Sequence, residues 1–177
     1  LSIKISIGDV KLSFGYVNTG NGVQQSLTCE PEVRNRPDHE AFRFARSVTI
    51  FRPPDATNAN IENQLWPKLI SNRRDKVLTK VLNDIFKMDA EGFHPLPNSQ
   101  LQILFPSYSI SIDLQGDGTR AAFRCLMMLA ALPSTLFILE EPECHQHPGS
   151  LERFALALCK QAKEQQVQLL ISTHSTE

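Results

Sequence analysis

The chain has 177 residues, 41% of them hydrophobic and 21% charged, and a formal net charge of −1. This length suits one domain, or one with a small insert, and can bury roughly 70% of its unfolded surface. The near-neutral charge excludes a global basic field for nucleic acid, and no apolar run is long enough for a helix to cross a bilayer.

The elements follow in chain order. Leu1, Ile3, Ile5 and Ile7 alternate with polar residues, and Val10, Leu12, Phe14 and Tyr16 alternate again after Gly8-Asp9. Period-two alternation around a glycine turn predicts a β-hairpin. Asn18 to Asn21 reads as a loop, and Val23 to Val33 as a third antiparallel strand. Arg34 to His39 is polar and breaks the pattern. Ser47 to Phe51 reads as another strand, stopped by Pro53-Pro54. Residues 1–60 are therefore assigned to an antiparallel β subdomain.

Residues 61–97 read as a helical insert. Ile61, Leu65, Leu69 and Ile70 share a face, and Pro67 marks a kink or a fresh start. The run Val77, Leu78, Val81, Leu82, Ile85 and Phe86 forms an amphipathic helix, ended by Gly92 to Pro97. Arg73, Arg74 and Lys76 read as a solvated helix start, His39 and His94 as surface residues. Residues 98–177 carry the rest. Leu101, Ile103 and Phe105, then Ile110 and Ile112, predict a second hairpin. After Gly116-Asp117-Gly118, Thr119 to Leu132 predicts a largely buried helix, apolar apart from Arg120 and Arg124, and closed by Pro133-Ser134. Whether these two arginines pair with acids or face a ligand stays open.

The most informative stretch is Thr135-Leu-Phe-Ile-Leu-Glu-Glu-Pro-Glu143, an apolar run that ends in paired carboxylates. It reads as a buried parallel strand. Charge is costly to bury, so Glu140 and Glu141 belong where the strand leaves the core. In open α/β sheets, ligands bind at that edge. Ser150 to Glu164 carries helical spacing through Leu151, Phe154, Leu158 and Ala162, and Val167 to His174 reads as a second buried strand ending in Ser, Thr and His. Such a strand–helix–strand unit makes the two strands parallel, so the acids and His174 meet at one edge.

A strand ending in Glu is structural or merely solvated in about half of cases; the Pro-Glu-x-His-x-His-Pro that follows, and the later Ser-Thr-His, favour function. Glu143, Cys144, His145 and His147 could suggest a metal cluster, but zinc sites normally draw ligands from a second segment. The four scattered cysteines (Cys29, Cys125, Cys144, Cys159) read as reduced thiols of a cytoplasmic protein.

The glycine turn opening a buried helix, the strand ending in acids, the His-Pro turn and the strand ending in His resemble the C-terminal half of an ABC-type ATPase head. The resemblance is nearest to the OLD, RecF and structural-maintenance-of-chromosomes branch of the AAA ATPase group, and sharpest from Asp113 to Glu177. It implies an α/β fold, a P-loop NTPase-like parallel sheet flanked by helices. It further implies ATP hydrolysis with Mg²⁺ by a head dimer coupled to DNA metabolism or anti-phage defence. Under it, Glu140 of the Walker B motif holds Mg²⁺ and Glu141 is the general base or water-positioning acid. Pro142 to Ser150 is the D-loop, and His174 is the switch histidine at the γ-phosphate. Gly116, Asp117, Gly118, Thr119 and Arg120 form the signature that clamps the partner subunit's ATP. DNA and a nuclease or other effector are candidate further partners. Two departures stand out. The signature serine is missing, and no Gly-x-x-x-x-Gly-Lys-Ser/Thr loop occurs in the chain. The favoured expectation is that this sequence starts downstream of that loop. The alternatives are a non-hydrolysing regulatory or scaffold domain, and an OLD-type ATPase followed by a metal-dependent nuclease.

Overall fold

N-terminal alternation produces an antiparallel sheet in the computed structural model. Strands β1 (Ser2–Ile7), β2 (Val10–Thr19) and β3 (Gly22–Cys29) lie in the order β1-β2-β3. The register sets Ile3 opposite Phe14, Ile5 opposite Leu12, and Phe14 opposite Leu27. Directly opposed residues share a face, so apolar meets apolar across both pairings. This sheet belongs to the first of two units, 1–48; the second is 49–177. The structure describes residues 2–7, 10–19 and 22–29 as backbone, and 47–52, 55, 60–96, 101–132, 136–144 and 146–174. The readings at Gly8-Asp9, Arg34–His39, Pro53-Pro54 and Pro133-Ser134, the stretch from Glu30 to Val33, and His145 lie outside the described residues.

The second unit is built around a sheet ordered β4-β8-β9, from Val48–Phe51, Leu136–Glu140 and Gln168–Ser172. Strand β4, read as part of the antiparallel subdomain, joins this sheet instead. In β8, Phe137, Ile138 and Leu139 are consecutive and all buried. Consecutive burial means both faces are covered, as the unbroken apolar run predicts. Strands β8 and β9 are parallel, with Leu136 opposite Gln168 and Glu140 opposite Ser172. The burial expected of β9 is corrected: it is mostly exposed, with Leu170 at 55% and Ile171 at 39%. It ends the sheet among the described strands, so only one of its edges is paired.

Among the described residues four α-helices cover this unit: α1 (Asn60–Ser71), α2 (Asp75–Phe86), α3 (Asp117–Ala131) and α4 (Pro148–Gln165). Helix α1 runs unbroken through Pro67. Helix α3 packs against the other three and is buried nearly all round, as an apolar helix without a polar face must be. Arg124 is the exception in chemistry and not in burial. Its side chain is fully buried, donating to Glu62 of α1 and to Asp113 at 2.6 Å each. That settles the open question for Arg124: it pairs with acids.

A second three-stranded antiparallel sheet, β5-β6-β7, comprises Gly92–Pro95, Leu101–Leu104 and Ser109–Ser111. Strand β5 falls within the expected helical insert and corrects it. Gly and Pro hide the strand in the sequence, and one aromatic anchors it. Phe93 packs between Trp66 of α1, edge-to-face at a centroid distance of 5.5 Å, and Phe123 of α3, tilted at 4.9 Å. Ile112, expected in the hairpin, is buried in a short 3-10 turn over Ile112–Leu114. Its entry is capped by Ser111, whose Oγ accepts from the Asp113 N–H at 3.3 Å.

Candidate functional site

Strand β8 leaves the core at Glu140, and the backbone turns sharply at the next residue. Glu141 has φ 48°, in the left-handed region. Among the described residues three other non-glycines share this conformation. Lys87 and Gln166 cap helix C-termini, and Arg73 sits in the turn between α1 and α2. Glu141 has no such helix-end reason. A non-glycine there costs about 1 kcal/mol or more, and held strain of this kind clusters at functional sites. The turn is held by the Glu141 N–H, which donates to Ser172 O of β9 at 2.9 Å. This bond continues the parallel ladder one residue past Glu140.

The same ladder brings His174 to the acids. His174 Nε2 lies 3.4 Å from Glu141 Oε1, and the His174 N–H donates to Glu143 Oε1 at 2.7 Å. The imidazole is 87% exposed, so it faces solvent at the rim and is not a satisfied core histidine. The opposite carboxylate oxygen, Glu141 Oε2, accepts from the Cys144 thiol at 3.3 Å. Partial burial, the bond to Glu141 and the charges of Glu141 and Glu143 push that thiol up. It therefore stays protonated and able to donate. Glu140 is half-buried beside Glu141. Acids and imidazole thus share one end of two neighbouring parallel strands, as the spacing predicts.

The glycine turn lies at the start of α3. Gly116 is the N-cap residue, and the Arg120 N–H donates to Gly116 O at 3.1 Å. Arg120 also forms an ion pair with Asp117, one turn away. The negative charge of Asp117 is thereby countered within the motif and suits a helix N-terminus. Gly116 has φ −58° and open space where a Cβ would stand. Packing among the described residues does not account for a glycine there. Gln146 bridges the two regions: its Nε2 donates to Gly118 O at 2.6 Å. The segment carrying the acids therefore touches the first turn of the glycine-led helix. Thr119, between them in the sequence, lies in that first turn.

Residues after the acids have mostly local roles. His147 Nδ1 accepts from the Gly149 N–H at 3.2 Å and caps α4, with Pro148 in its first turn. Among the described residues no group of three or more His, Cys, Asp or Glu gathers to hold a metal. Two adjacent carboxylates nonetheless suit Mg²⁺, which takes one or two carboxylates beside waters and phosphate oxygens. An open groove of about 550 Å³ between α2 and α4 is lined by Val77, Val81, Leu156 and Lys160, among others, and by none of the rim residues. Sequence reasoning missed the Cys144–Glu141 and Gln146–Gly118 contacts, because the D-loop resemblance covers both residues without assigning either a contact within this chain. A charge within the apolar run of α3 signals that Arg124 needs a buried acid, though not that Glu62 supplies it.

Comparison with known proteins extends this picture. No curated protein matches the sequence. Ten solved chains match in structure. One of them, the SMC head domain from Thermotoga maritima, superposes with a TM-score of 0.50 at 14% identity, covering 98% of this chain and 63% of that one. At that identity the likeness shows the fold alone: an α/β, P-loop NTPase-like head. The chain spans less than two thirds of that neighbour's length. Residues 50–177 match the family described as "AAA domain, putative AbiEii toxin, Type IV TA system". That span runs from β4 to the last residue and holds every rim residue, and on it the chain belongs to this AAA-domain family of ATPases.

Proposed function

We propose that this chain is the part of an ABC-type ATPase head that carries the hydrolytic acids and the signature turn. The observation that carries the reading is the shared rim, with His174 Nε2 at 3.4 Å from the carboxylate of Glu141, on parallel neighbouring strands. In this reading Glu140 would hold Mg²⁺, which neutralises phosphate charge when bound. Glu141 orients and deprotonates the attacking water, a role whose removal typically costs ~10² to 10⁴ in rate. His174 reaches the γ-phosphate, which its exposed position permits. The open space at Gly116 and the first turn of α3 receive the γ-phosphate of a partner head, where helix N–H groups favour anions. Arg120 holds Asp117 away from that phosphate.

Two heads would close on two ATP molecules, and hydrolysis would part them. The family description names a putative toxin of a toxin–antitoxin system, which supports coupling to defence over DNA metabolism. A second reading is a non-hydrolysing regulatory or scaffold domain, which would keep the fold without a Gly-x-x-x-x-Gly-Lys-Ser/Thr loop. One experiment separates the two readings. In the full-length protein, Glu141→Gln should retain ATP binding and abolish turnover. Undiminished hydrolysis removes Glu141 from the mechanism, and absence of ATP binding by the wild type supports the scaffold.

A further inference from the structure

We propose that the turn after β8 is a brace, in which Cys144 and Gln146 fix the Glu141 carboxylate relative to the first turn of α3. Both are then positioning residues for the hydrolysis proposed above, and the inference rests on that reading. The turn is stiff along its backbone. The Cys144 N–H donates to Glu141 O at 3.0 Å, the Gln146 N–H to Glu143 O at 3.0 Å, and the Ser150 N–H to His147 O at 2.9 Å. Two side chains project this stiffness in opposite directions. Cys144 donates to one oxygen of Glu141 at 3.3 Å, while His174 faces the other at 3.4 Å. With a partner on each oxygen, the carboxylate cannot rotate freely about its last torsion. Gln146 donates to Gly118 O at 2.6 Å, and its own Oε1 accepts from Ser150 Oγ at 3.4 Å. The Gly118 carbonyl can only accept, which fixes which end of the amide faces it, while Ser150 Oγ also donates to His147 O at 2.8 Å.

Glu141 and Gly118 lie on separate elements. The contacts through Cys144 and Gln146 join them along one short turn. A displacement of the glycine turn, as when a partner head docks, is then carried to the water-positioning acid of the same head. Losing one link should cost what one ordinary hydrogen bond supplies, about 2- to 12-fold in rate. The effect belongs in kcat and not in KM for ATP, because neither residue is placed to hold the nucleotide.

The test uses the full-length protein with Mg-ATP and compares wild type, Cys144→Ala, Cys144→Ser, Gln146→Leu, the Cys144→Ala/Gln146→Leu double variant, and Glu141→Gln. The brace predicts that Cys144→Ala and Gln146→Leu each lower kcat about 2- to 12-fold, with KM and melting temperature held. Cys144→Ser keeps a donor and recovers part of the loss. The double variant loses less than the product of the singles, because both act through one turn. Wild-type kcat in both single variants overturns the brace, as does an equal loss in the Ala and Ser variants or a change confined to KM. If Gln146→Leu melts early, Gln146→Ala is read in its place by the same criteria. Glu141→Gln keeps the two levels apart. An inert Glu141→Gln beside full-speed brace variants sinks the brace alone, and a fully active Glu141→Gln sinks the hydrolytic reading and the brace with it.

Discussion

Replacing Arg124 with Met leaves Glu62 buried without its cation. The Arg124 side chain is 0% exposed and that of Glu62 1%, with 2.6 Å between Nε and Oε1. Met fills much of the same volume, so the loss is electrostatic more than steric. Breaking a buried pair by removing one partner costs about 3–5 kcal/mol, since the stranded charge cannot be rehydrated. Asp113, the other partner, is 33% exposed and can turn to water, so its share is small. For a unit of this size, each kcal/mol shifts the midpoint by a few degrees, so Arg124→Met should melt on the order of 10–20 °C below wild type. The assay is thermal unfolding at pH 8, where Glu62 has least chance to escape by taking up a proton. At lower pH that escape opens and the gap should narrow. Glu62→Leu with Arg124→Met buries no charge at all and should recover most of the loss. An Arg124→Met protein that melts within about 2 °C of wild type refutes this reasoning, as does a double variant no better than the single.

Two further predictions rest on the same unit. Asn83 clamps the loop after α2, donating to Ala90 O at 2.8 Å and accepting from the Ala90 N–H at 3.0 Å. Asn83→Ala leaves both backbone groups without these partners and should cost about 1–3 kcal/mol, read as a lower urea midpoint at unchanged slope. Burial pushes the Glu62 carboxyl up from its ordinary value of 4.5, with Arg124 opposing. An acid raised by folding contributes stability that is complete below its unfolded value and is lost as pH rises through the folded one. The melting advantage of wild type over Glu62→Gln should therefore shrink as pH climbs above 4.5; an advantage that grows over that range contradicts the assignment.

How much was legible in the sequence follows from the kind of force involved. The rim was legible because an unbroken apolar run must be buried and paired carboxylates must not. The thirty-odd residues from Leu136 to Ser172 hold a whole strand–helix–strand unit, and its handedness leaves one way to close. Strand β5 was not legible, because its one apolar anchor, Phe93, gives no period and Pro95 argues against a strand. The exposure of β9 was hidden as well: Leu169-Leu-Ile171 reads as buried, and only sheet order shows that β9 ends the sheet among the described strands. The contacts of Cys144 with Glu141 and of Gln146 with Gly118 were out of reach because a thiol and an amide have no characteristic spacing. Arg124 lies between: helical periodicity put it on an apolar helix, but the acids that meet it come from residues 62 and 113.

The most direct test is a structure of the full-length protein with Mg²⁺ and a non-hydrolysable ATP analogue. The account predicts the γ-phosphate at the end of β8 and β9, within reach of Glu141 and His174, with Glu140 turned to the metal. A nucleotide bound away from that rim, with Glu141 and His174 facing only water, would contradict it.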